Sequence, residues 1–111
     1  MIETIIIEYL SRQLGICVLT EKPNDKPQRY IIVEKTGNSR NNFIDTATVT
    51  IQSYAESMFE AAMLNERVKL AMNEITMLSS VSKASLNSDY NFTDTAKKEY
   101  RYQAVYDITF Y

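Results

Sequence analysis

An α+β domain, with a mainly antiparallel sheet packed by one long helix and a short N-terminal helix, follows from three patterns in these 111 residues. Residues 30–33 and 43–53 are β-branched or alternate with period two. The stretch from about 55–58 to Leu78 switches to helical spacing, and 100–110 returns to strict alternation. In chain order the elements read α-β-β-β-α-β-β, in one domain over residues 1–111, since a chain of this length holds a single core.

Residues 2–14 open the chain as an amphipathic helix. Ile2, Ile5, Ile6, Tyr9 and Leu10 recur at helical spacing, with Glu8, Ser11 and Arg12 opposite. Gly15 suits a left-handed cap. Ile16 to Leu19 is a short apolar run, predicted as a buried strand with Cys17 packed inside it. Both prolines fall in 21–28, a surface loop. Tyr30-Ile31-Ile32-Val33 is a central strand, and 36–42 is a polar loop. From Phe43 onward, Phe43, Ala47, Val49 and Ile51 face one way, and Thr46, Thr48, Thr50 and Gln52 the other. The two runs make an antiparallel hairpin.

Ser53–Glu56 and Ser57–Glu60 both have the capping-box spacing, which starts the long helix. Ala61, Leu64, Val68, Ala71, Met72, Ile75 and Leu78 cover one arc, the face expected on the sheet. Phe59, Met63, Leu70 and Met77 make a second stripe nearly opposite, diluted only by Glu66 and Glu74. A helix on a sheet buries one face, so this stripe needs another cover: the N-terminal helix, a loop, or a second subunit. Four clustered apolar side chains favour the subunit interface. Residues 81–87 form a further strand and 88–98 a polar loop. In the last strand Tyr100, Tyr102, Ala104, Tyr106, Ile108 and Phe110 share the buried face.

Composition narrows the chemistry. There is no histidine, which removes Ser–His and Cys–His nucleophile pairs, imidazole metal ligands and a neutral-range proton shuttle. A single cysteine excludes an internal disulfide. A net charge of −2 lacks the basic field of a tight nucleic-acid binder. No stretch approaches the ~18 apolar residues of a membrane span, and the acidic start is unlike a signal peptide. The expectation is a soluble protein made in a cytoplasm, with no cofactor, no metal and no enzymatic activity, that acts by contact.

Three constellations have a plain structural explanation beside the chemical one. Asp89, Asn91 and Asp94 are spaced like the start of a calcium loop but lack its turn glycine and bidentate glutamate. Glu34-Lys35 with Asp45 suggests a small metal-dependent nuclease, yet a solvated strand edge explains them as well. Lys97-Lys98 beside Tyr100, Arg101 and Tyr102 mixes cations and rings as single-strand binders do, but the tyrosines belong to the buried face. A monomeric adaptor or toxin-inhibitor module is the third class, and it requires the second helix stripe to be covered within the chain. The loops 36–42 and 88–98, with Asn38, Arg40, Asn41, Asn42, Asp89, Asn91, Asp94 and Lys97, remain as polar contact candidates.

The run Tyr30-Ile31-Ile32-Val33-Glu34-Lys35-Thr36-Gly37, Asp45-Thr46-Ala47-Thr48 through Tyr54, Leu86-Asn87-Ser88-Asp89-Tyr90-Asn91-Phe92-Thr93-Asp94-Thr95, and Tyr100-Arg101-Tyr102-Gln103 resemble the small neck and tail proteins of long-tailed bacteriophages. These are tail terminator, tail completion or minor capsid proteins. Asn38 stands where such proteins tend to carry another glycine. The resemblance implies a structural protein of the virion tail or neck, assembled in the bacterial cytoplasm. It would form a hexameric ring on the tail tube protein, end tube growth, and offer a surface to the head connector protein, while DNA passes through unread. A head-side connector or stopper ring is the alternative. Read from the residues rather than the resemblance, Phe59, Met63, Leu70 and Met77 are the candidate ring contact, and the loop at Arg40, Asn41 and Asn42 the candidate axial contact.

Overall fold

A computed structural model describes residues 2–25, 27–41 and 43–111. Helix α1 (Ile2–Leu14) leads into β1 (Cys17–Leu19), β2 (Tyr30–Asn41), β3 (Ile44–Ala55), α2 (Met58–Met72), a 3₁₀ turn (Ile75–Met77), β4 (Val81–Asn91) and β5 (Tyr100–Phe110). The α+β class and the element order are those expected. The strands form one sheet in the order β1-β2-β3-β5-β4, antiparallel throughout except for the short parallel β1–β2 pair.

Both helices lie on one face of this sheet and close the main core. Strand β3 contributes Ala47, Val49 and Ile51, and β5 contributes Ala104, Tyr106 and Ile108. From above, α1 adds Ile2, Ile6, Tyr9 and Leu10, while α2 adds Leu64, Val68 and Met72. Each such side chain contributes roughly 1.5–3 kcal/mol on burial. The layer over the sheet is thus two helices rather than one, and α1 is as much a part of the core as α2.

Local chemistry sets the helix ends. Gly15, at φ +66°, donates its N–H to the Ser11 carbonyl at 2.9 Å and stops α1. Ser57 caps α2, its Oγ accepting from the Glu60 N–H at 3.1 Å, so the second of the two capping-box candidates is the one used. Ser53 instead sits fully buried in β3. The long helix ends at Met72, six residues before the expected Leu78. Asn73, a poor helix former, caps it, and Ile75 reaches the core from the 3₁₀ turn.

Four sequence expectations are corrected. Residues 36–41 are not a loop: β2 runs on to Asn41, which pairs with Ile44. A tight turn holds both strands in register up to its edge, whatever their polarity. Phe43 therefore does not share the buried face with Ala47; it sits in the turn at φ +68° and is 85% exposed. Residues 88–91 belong to β4, which follows its partner β5 as far as the Asn91–Tyr102 pair. Cys17 is exposed, because β1 offers only Val18 to the core. Asn42 lies outside the described residues.

The sheet register shifts between Lys35 and Gly37 on β2, and twice on β4, between Val81 and Lys83 and between Leu86 and Ser88. The molecule is elongated, 45 × 25 × 24 Å. Beyond the three residues paired with β1, the outer edge of β2 has no strand neighbour among the described residues, and Glu34 to Arg40 are all exposed. This part of the β2–β3 hairpin is a polar arm.

Candidate interaction surface

The outward side of α2 carries Phe59, Met63 and Leu70, which an ideal helix places within a sector of about 40°. They are 69%, 48% and 67% exposed. Helix α1 lies beside this stripe without covering it. Arg67 bridges the two helices, donating from Nη2 to the Leu14 carbonyl at 3.0 Å. At the start of α2, Arg29 donates to Glu56 at 2.7 Å and pairs with Glu60 at 3.1 Å. That contact holds the Glu56 carboxyl below the usual carboxylate range.

Met77 is 78% exposed but belongs to the 3₁₀ turn, so turn geometry rather than helical period sets its direction. It borders a hollow of about 660 Å³ between α1 and the turn, walled also by Ile5, Tyr9 and Leu78, with Glu8 and Glu74 lining it. The Tyr9 hydroxyl donates to the Ala71 carbonyl at 2.6 Å and ties α1 to α2. Burial, with Glu74 nearby, raises the Tyr9 pKa. A hollow of about 290 Å³ shares Gln13 and Glu74 with it, and one of about 220 Å³ shares Arg67 with that second hollow. Together they make a furrow from Met77 back to Phe59.

The hairpin tip is a second apolar patch, which periodicity missed. Phe43 projects beside Ile44, itself 42% exposed, and the Arg40 guanidinium lies over the Phe43 ring at 5.9 Å. The Asn41-Asn42 pair just ahead of Phe43 was the available turn signal. Asn38 and Arg40 lie on the exposed arm, not in a loop.

The 88–98 candidates separate. Asp89 faces α2, its Oδ1 accepting from Asn65 Nδ2 at 2.6 Å and its Oδ2 from Lys69 Nζ at 2.5 Å. Asp89, then Glu66, hold the Lys69 ammonium above the ordinary lysine range. Asn91 accepts the Thr93 N–H and donates to the Met58 sulfur. Asp94 accepts the N–H groups of Ala96 and Lys97 and so builds its own turn. These three polar groups hold the fold together. Lys97 is exposed, as are Asp89 and Asn91, and it lines a shallow hollow with Pro27, Gln28 and Tyr30.

The helix-free sheet face is a network of rings and amides. Tyr30 stacks on Tyr54 with centroids 4.6 Å apart, and Arg101 lies over Tyr54 and Phe92. Gln52 Nε2 donates to Gln103 Oε1 at 2.8 Å, and Gln103 Nε2 donates to the Tyr90 hydroxyl. The segment after β1 covers one end, with Lys22 over the Tyr54 ring and paired to Glu99 at 2.9 Å. The rings are internally engaged, as a single-strand-binding platform would not be.

Under α2, burial pushes the Tyr106 phenol up to about 12. Burial also raises Tyr9 and Tyr30. An unfolded chain ionises its tyrosines near pH 10. Stability from these groups is complete below that pH and is lost as pH climbs from about 10 through about 12. The urea midpoint is expected to fall across that window, and less steeply in Tyr106→Phe. An equal fall in both proteins would remove Tyr106 as a cause.

No group of three or more Asp, Glu, His or Cys side chains that could hold a metal ion occurs among the described residues. Asp45 pairs in register with Arg40 and Glu34 with Thr50, well apart along the arm. Among the described residues no helix is long and apolar enough to cross a membrane. No protein-family model matches the chain, and no curated protein matches it.

Proposed function

We propose that the protein is a structural assembly protein of a long-tailed bacteriophage or prophage, a ring that caps the tail tube, ends its growth and presents the joining surface for the head. The carrying observation is the furrow along α2, where Phe59, Met63, Leu70 and Met77 stay 48–78% exposed. Apolar area this concentrated favours a protein partner. It also weighs against the self-contained adaptor, whose stripe would be covered within the chain. A ring contact on this furrow leaves the arm at Asn38 and the loop at Lys97 for the tube. Weak contacts between copies become strong when a tube end offers several sites together.

The test is to mix the full chain with purified tail tubes and with capsids bearing their connector, and to image both. Density at one tube end, with renewed tube growth blocked, is the expected result. Density on the connector alone would move the ring to the head side, and binding to neither would end the phage reading.

A further inference from the structure

We propose that the hairpin tip of one copy seats in the hollow between α1 and the 3₁₀ turn of the next copy, a contact between two different patches of the same chain. It rests on the reading that copies assemble with one another, and not on the phage setting.

The tip has the properties of an inserted key. Phe43 is the most exposed large apolar residue among those described, at 85%. Its backbone is held at φ +68°, where a bulky residue costs on the order of 1–2 kcal/mol and turn geometry alone favours glycine or asparagine. Strain of this kind collects where a side chain must be presented. Arg40 stands over the ring and Ile44 beside it, with Asp45 registered across from Arg40, so the tip offers a ring, an aliphatic group and a cation beside a carboxylate.

The hollow offers the complement. Ile5, Tyr9 and Met77 form its apolar wall, and the Met77 thioether suits contact with a ring. Two carboxylates, Glu8 and Glu74, line it as partners for the Arg40 cation, and the Arg12 guanidinium lines it as a partner for the Asp45 carboxylate. At about 660 Å³ it falls within the roughly 300–1,000 Å³ of sites that enclose compact ligands. Within one copy both patches stand open at once, so the tip does not serve its own hollow. A contact between unlike patches repeats from copy to copy, and closes into a ring when the rotation permits.

Disulfide trapping tests this on the whole chain in a Cys17→Ser background. One protein carries Ser39→Cys on the arm, the other Gln13→Cys at the hollow, both at exposed positions. Mixed at high concentration and oxidised, they are expected to give the 39–13 adduct at least about tenfold above either like-with-like adduct. Arg40→Glu or Phe43→Ala in the first protein should remove that excess. Glu74→Arg in the second should restore it for Arg40→Glu but not for Phe43→Ala. No excess, a dominant 39–39 or 13–13 adduct, or no rescue by the charge exchange would overturn the contact. Trapping that succeeds while tubes and connectors bind nothing would leave this contact standing and remove the phage setting.

Discussion

Replacing Tyr106 by alanine is expected to cost about 3–5 kcal/mol of folding stability, read by urea unfolding at neutral pH. The side chain is 3% exposed, in the middle of β5, registered against Val49 on one side and Leu86 on the other. Ala104 and Ile108 flank it on the same face, and α2 lies above. A lost ring would leave a cavity among these packed neighbours, and its cost depends on how far they collapse into it. For a domain of this size the loss corresponds to a fall of at least ~12 °C in Tm. Tyr106→Phe keeps the ring and should retain most of the stability. A loss below ~1 kcal/mol for the alanine variant would mean that the faces of β5 are assigned the wrong way round.

Leu70→Glu should have the opposite profile, leaving the monomer folded and weakening assembly. Leu70 is 67% exposed and touches no part of the main core, so the fold should change by no more than ~0.5 kcal/mol. A carboxylate added between Glu66 and Glu74 brings a further few tenths of like-charge repulsion. In the assembled state the same carboxylate would be desolvated against an apolar surface, which is worth ~2 kcal/mol or more at an interface centre. The concentration for half-assembly should rise by roughly thirtyfold or beyond. Light scattering across a wide concentration range, alone and on tubes, reads this directly. Unfolding of the variant would make the stripe part of the core, and unchanged assembly would remove it from any interface.

What the sequence discloses and what it hides divide along physical lines. Helix α1 was legible from Ile2 to Leu14 because its apolar spacing and its glycine stop coincide. The alternation in β3 and β5 was legible because helices cover one face only, so period two appears as apolar against polar. The arm was not, because Glu34 to Arg40 are wet on both sides, and a strand with no buried face reads as a loop. Cys17 failed for the converse reason: a three-residue strand is too short to show which side faces inward. The stripe at Phe59, Met63 and Leu70 was visible by spacing alone, while Met77 kept its exposure but lost its helix at Asn73. Asp89 looked like a free loop carboxylate because its partners, Asn65 and Lys69, lie more than one element away in the chain.

The breaks in register on β2 and β4 fall on the two outermost long strands. A straight, open strand is a template on which further copies zip by their main chains and grow into fibres, and an extra residue that kinks it spoils the template. The register breaks on β2 and β4 thereby oppose backbone zippering between copies of this protein.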